Sequence, residues 1–237
     1  MTALKLHLEG MFQSFGSRNA GRNRPTEDAP TRSMVLGLVC AALGLDREDD
    51  VTQIQQVHDS FKVAWRKTAS DSLYRGYNTN DRLTLKGKKH PSQEPRTRQY
   101  LRTKGVEHGS VGLSQNIILR DYLCGYAYEV YLTEKPSATF SLQTIAKAVE
   151  TPKFCLFLGR ASCLPSRPVF GGITDETLIS LLLQGGDVGW EGSPDLLKSR
   201  PELRVTRKNR HDKLVNASQR AFCNRTEYRT TVKDTSE

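Results

Sequence analysis

Apolar and polar residues alternate from the first positions of the chain. Leu4, Leu6 and Leu8 face one way and Lys5, His7 and Glu9 the other, the period of a half-buried strand. A loop of Gly, Pro and polar residues follows, and PTRSMVLGLVCAALG then predicts a helix. Thr31 or Ser33 suits its N-cap and Gly44 the left-handed position after its last turn. Its apolar residues lie on nearly all sides, as in a helix deep within a fold. VTQIQQVHDS (51–60) reads as a short helix, and Phe61, Val63 and Trp65 alternate in the strand FKVAWRK. A Tyr- and Val-rich strand is expected over 122–135. Leu142, Ile145, Ala146 and Val149 recur at helical spacing before Pro152, and KFCLFLG (153–159) reads as a further strand.

The order is strand, helix, strand, long insertion, strand, helix, strand. That is the split βαβ order of a ferredoxin-like, RRM-type α+β domain. The expected organisation is such a domain over 1–160, with an insertion at about 68–120 projecting as a basic thumb. A smaller C-terminal β and Gly-rich region, 161–237, completes the fold. It holds one helix candidate, DETLISLLLQ, ended by Gly185 and Gly186.

Charge changes the picture from fold to partner. The 237 residues carry a net +9, which points to a polyanion, nucleic acid ahead of an anionic membrane. From Arg75 to Lys104 nine Lys/Arg stand against two acids, and from Lys198 to Lys213 seven against two. Taking these +7 and +5 clusters from +9 leaves −3, so the surplus is concentrated. The first cluster is too polar to build a core and reads as a long arm or hairpin projecting from the domain, the alternative being a disordered basic loop. Its Lys and Arg suit phosphates, and Tyr77 and Tyr100 suit stacking on unpaired bases. The longest apolar run, 34–45, is too short to cross a bilayer. Five scattered cysteines form no C-x-x-C pair, so neither a metal nor another cofactor is expected, and reduced thiols in the cytoplasm are the default.

Four stretches, in order, resemble one family. LHLEGMFQSFGS looks like a first strand followed by a G-x-x-Q-S/A-W/F-G turn. NRPTEDAPTRSMVLGLVCAALGLDRED, RDYLCGYAYEVYL and KFCLFLGRASCLPSRPVF match its later segments. The family is the Cas-five subunits of type I-E CRISPR Cascade. Phe15 stands where Trp is usual, Ala161 where a second basic residue is common, and Leu164 separates Cys163 from Pro165.

The resemblance implies a non-catalytic subunit that caps the 5′ handle of the CRISPR RNA. Its implied partners are that RNA, the Cas-seven backbone subunit, the large subunit and, through the complex, target DNA. With this resemblance, RNA contact is expected at Gln13, Ser14 and Phe15, the alternative being a turn that holds an ordered loop. It is expected also at Thr31, Arg32 and Ser33, where a helix start favours phosphate and the alternative is a simple cap with a solvent-facing Arg. Arg160 and Ser162, in a turn after a strand, either bind a phosphate or satisfy local carbonyls. Arg22 and Arg24 of the first loop and Arg96, Arg98, Tyr100 and Arg102 of the thumb extend the expected surface, and Arg207, Lys208 and Arg210 near the C-terminus are either a second phosphate patch or a solvated tail. Trp65, Cys163 and residues 34–43 are expected in the core.

The alternative is a metal-independent endoribonuclease acting on repeat RNA, as in type I-C relatives. Tyr77 or Tyr100, with Lys89 and His90, would then move the protons of 2′-hydroxyl attack. A DNA- or membrane-binding protein finds no helix-turn-helix, zinc site or basic amphipathic helix to support it.

Overall fold

The structure is a computed structural model that describes residues 2–16, 23–85, 88–89, 111–176, 180, 184, 186–192 and 204–231. For 23, 74–85, 88–89, 111–118 and 231 it describes the backbone. Strand β1 (Ala3–Glu9) buries Leu4, Leu6 and Leu8 completely, as alternation requires. It pairs antiparallel with β8 (Ala127–Glu134), which pairs with β4 (Phe61–Ala69). On its other side β1 pairs with β9 (Phe170–Thr174). Beyond β4 come β10 (Val188–Trp190), β12 (Ala221–Thr231) and β11 (Arg204–Asn216), closing a seven-stranded antiparallel sheet.

Helices α1 (Arg32–Leu43), α2 (Val51–Ser60) and α3 (Leu142–Glu150) cover the face that carries Leu4, Leu6, Leu8, Val63, Val130 and Leu132. Thr31 caps α1, its hydroxyl accepting from the Met34 N–H at 3.3 Å, and Gly44 ends it at φ 77°. Seven of the twelve residues of α1 are buried, as its all-round apolarity predicts. Trp65 and Cys163 are core, 3% and 0% exposed.

The insertion is a second, smaller sheet. β5 (Ser72–Leu85) and β7 (Val111–Cys124) run antiparallel through fourteen residue pairs, from Ser72↔Cys124 to Leu85↔Val111. Short strands β2 (Phe12–Gln13), β3 (Asn23–Arg24) and β6 (Lys88–Lys89) flank this hairpin. A projecting hairpin between the second and third strands of the core was expected; its reach to Cys124 was not. The expected single strand 122–135 is broken at Gly125 (φ 66°), so 122–124 belong to the hairpin and 127–134 to the core sheet.

Residues 153–159 form no strand. Leu156 and Leu158 are buried, but the segment is held by irregular bonds: the N–H groups of Lys153 and Phe154 donate to the carbonyls of Ala42 and Ala41, and Ser14 donates to Leu158. At Gly159 (φ 104°) a Cβ would overlap the Ser14 carbonyl, which fixes glycine there. The edge position beside β1 is taken by β9 instead. Most of the helix candidate at 175–184 lies outside the described residues.

Candidate nucleic-acid interface

At the foot of the hairpin, β7 carries Arg120 and Tyr122 past β3 and the turn after Leu158. Arg24 pairs with Arg120 in a short parallel ladder. The Arg160 guanidinium donates to the carbonyls of Asp121 (3.1 Å) and Arg24 (2.8 Å), and its carbon lies 4.9 Å from the centre of the Tyr122 ring. Phe12 meets the same ring edge-on at 5.8 Å. Burial would raise the Tyr122 phenol, but hydrogen bonds with Ser162, Arg160 and Arg120 outweigh it and hold the group below its ordinary value. Arg24, Arg160 and Ser162, all expected on sequence grounds, are thus brought together. Arg120 and Tyr122 were not expected. Their signal was the resemblance stretch RDYLCGYAYEVYL itself, in which Arg120 and Tyr122 alternate along a strand.

Other expected contacts are structural. Gln13 is completely buried, its amide donating to the carbonyls of Tyr126 (2.5 Å) and Leu8 (3.3 Å). The Ser14 hydroxyl donates to Asp121 at 3.4 Å, and Phe15 packs edge-to-face on Tyr128 at 5.6 Å with no exposed surface. None of the three offers a platform for a base. Arg32, 3% exposed, is a core residue: it donates to the carbonyls of Phe61 and His58 and to both Glu191 oxygens at 3.0 Å. The anion expected at the α1 N-terminus is the protein's own, since the Arg32 N–H donates to the Asp212 carboxylate at 2.7 Å. Thr31 is buried as the cap, and half-buried Ser33 leans on it at 3.4 Å.

Arg210 is 3% exposed and tied to Glu227 (3.1 Å) and the Ala29 carbonyl (2.9 Å). Glu227 also accepts from Arg225 (2.9 Å) and Arg229 (2.8 Å). Burial would raise its carboxyl; the surrounding Arg210, Arg225 and Arg229 prevail and lower it. Arg225 reaches Asp212 through two bonds of 2.6 and 3.0 Å, and Arg229 reaches Asp28 at 2.7 Å. Lys208, half-buried, is neutralised by Asp28 at 3.0 Å and Glu27 at 3.6 Å. Of the three expected C-terminal contacts only Arg207 is exposed, with a bond to the Thr226 hydroxyl at 3.2 Å. Arg22, Arg96, Arg98, Tyr100 and Arg102 lie outside the described residues, as does His90; the side chains of Tyr77 and Lys89 do too. No group of His, Cys, Asp or Glu that could hold a metal, and no helix long and apolar enough to cross a membrane, occurs among the described residues.

The architecture defines a class first. It is shared with a solved "CRISPR RNA-guided surveillance complex" chain, at TM-score 0.64 and 18% identity over 97% of this chain and 90% of that one. A solved "Cas protein" gives 0.60 and 22% over 98% and 96%. The fold is therefore that of CRISPR-associated proteins. The sequence narrows it: the chain belongs to the CRISPR-associated protein (Cas_Cas5) family, whose model matches residues 3–225. It is 31% identical over 198 residues to the CRISPR system Cascade subunit CasD of Escherichia coli K12, covering 80% of this chain and 81% of that one.

Proposed function

We propose that this chain is a non-catalytic guide-RNA-binding subunit of a type I-E Cascade. It caps the 5′ handle of the CRISPR RNA and joins the backbone and large subunits, and it meets target DNA only through the complex. The observation that carries the reading is the similarity to a Cascade subunit across four fifths of both chains. The order β9-β1-β8-β4, with α1 and α2 between β1 and β4 and α3 between β8 and β9, supports a ferredoxin-like core from which the hairpin projects.

The hairpin foot supplies the chemistry such a role needs. Arg120 and Arg160 bring positive charge to the Tyr122 ring, and among the described residues Arg160 donates to the carbonyls of Asp121 and Arg24. Cations neutralise phosphates and rings stack on unpaired bases. On β11 and β12, Arg210 and Arg225 are bonded to the buried acids Glu227 and Asp212, whereas the foot lies beside the thumb.

Purification of the tagged chain from cells that express the whole system, with sequencing of bound RNA, tests the reading. Repeat-derived RNA and two further subunits are expected to co-elute. Recovery without RNA or partners would overturn it. Repeat RNA incubated with the chain in EDTA is expected to stay intact; a single defined product would instead favour the metal-independent endoribonuclease.

A further inference from the structure

Arg24, Pro25 and Thr26 form a short lever beside the hairpin foot. Pro25 fixes its own φ and confines the residue before it to extended backbone. Arg24 lies in β3, which is two residues long and pairs with β7 at Leu119 and Arg120. So stiff a unit carries the placement of Thr26 over to Arg24.

Thr26 is held on the turn after β2. Its hydroxyl accepts from the Phe15 N–H at 2.8 Å, and it pairs with Gly16 in an isolated antiparallel bridge. The Glu27 N–H donates back to the Phe15 carbonyl at 2.9 Å. Phe15 has no exposed surface, so no water can replace the threonine as partner of its N–H. Beyond Glu27 the chain is anchored. The Tyr128 hydroxyl donates to the Asp28 carbonyl at 2.7 Å, Arg229 and Lys208 reach the Asp28 carboxylate at 2.7 and 3.0 Å, and Arg210 donates to the Ala29 carbonyl at 2.9 Å. The end left to swing is the one that carries Arg24.

From the turn the bonds run back to the foot. The Ser14 N–H donates to the Leu158 carbonyl at 3.0 Å, and Arg160, two residues on, donates to the Arg24 carbonyl at 2.8 Å. Thr26, Phe15, Ser14, Leu158, Arg160 and Arg24 thus close a ring. Two side chains close it, the Thr26 hydroxyl and the Arg160 guanidinium. We propose that Thr26 is a positioning residue for RNA binding: through Pro25 it fixes the Arg24 carbonyl, which aims the Arg160 guanidinium at a phosphate. The inference rests on the RNA-binding reading above and adds a residue that itself touches no RNA.

The test measures the affinity of the full chain for a single-stranded RNA of the repeat sequence, per folded molecule, over a salt series. Thr26→Val keeps shape and charge but strands the Phe15 N–H. It should weaken binding about tenfold, the worth of one charge-assisted hydrogen bond. The log–log salt slope should fall by about 0.7. Thr26→Ser restores the hydroxyl and should bind as the wild type does. Pro25→Gly removes no side-chain hydrogen bond but slackens the lever; it should show the same loss, and it carries the test if the valine variant does not fold. In an Arg160→Ala background neither change should weaken binding further, because both act through that guanidinium.

A merely structural threonine would lower Tm and leave affinity and slope alone. Unchanged affinity and slope in either variant that folds therefore overturns the positioning role and leaves the proposed function standing. A loss that Thr26→Ser fails to restore, a loss that persists in full without Arg160, or an Arg160→Ala variant that binds as the wild type does has the same consequence. Absence of RNA binding by the wild-type chain overturns both readings, and only that result does.

Discussion

Arg32→Ala is the change that separates an RNA-contacting helix start from a structural one. In the fold the guanidinium bridges three elements: α2 through the His58 carbonyl, β4 through the Phe61 carbonyl, and the segment after β10 through Glu191. Removing it strands two carbonyls and half of a buried ion pair. Breaking such a pair costs about 3–5 kcal/mol. Glu191 keeps Arg225 at 3.7 Å, so the lower end applies. About 3 kcal/mol is a large part of a domain's usual 5–15 kcal/mol. For a chain of this size it lowers Tm by roughly 10 °C. Ser33→Ala, which loses one weak 3.4 Å contact, should leave Tm nearly unchanged. The assay is thermal unfolding of both variants, with RNA affinity measured per folded molecule. Arg32→Ala should melt early and bind RNA normally once folded. An unchanged Tm with RNA binding lost would refute the placement of Arg32 in the core.

Acid should unfold the chain through His58. Burial, then the Arg32 charge, lowers its pKa from 6.5 to about 4, so between those values the unfolded state holds a proton that the native state does not. Stability is therefore flat above pH 6.5 and falls by about 3 kcal/mol towards pH 4; urea midpoints across that range check it, and His58→Gln should flatten the slope. Two glycines should behave oppositely. Gly159→Ala, with φ 104° and the Ser14 carbonyl in the way, should yield little soluble protein, whereas Gly37→Ala in the middle of α1, where a Cβ meets nothing within 4 Å, should raise stability by about 0.5–1 kcal/mol in the same melts. Arg160→Ala at the hairpin foot should weaken RNA binding and reduce the log–log salt slope by about 0.7, one phosphate's worth on a single strand; an unchanged slope would mean the guanidinium only ties the turn to β7.

What the sequence made legible was whatever is decided locally. The leucines of β1 alternate because one face is buried, and the cap and stop of α1 are written in Thr31 and Gly44 within a few residues of each helix end. The misread segments are those where a distant partner decides. KFCLFLG has the composition of a strand, yet Gly159 must turn to let the Ser14 carbonyl pass, and the edge goes to the glycine-rich FGGIT of β9. Charge was the most deceptive signal. Counted along the chain, Arg207 and Arg210 are equal members of one basic cluster. In the fold Arg210 faces Glu227 from the neighbouring strand, seventeen residues away, while Arg207 stays exposed. Arg32 finds Glu191 across 159 residues in the same way. A basic count sums cations without subtracting the acids that folding sets beside them, so it overstates any surface whose arginines have buried partners. At the foot of the hairpin Arg160 donates instead to the carbonyls of Asp121 and Arg24, dipoles that orient its guanidinium without carrying a full neutralising charge.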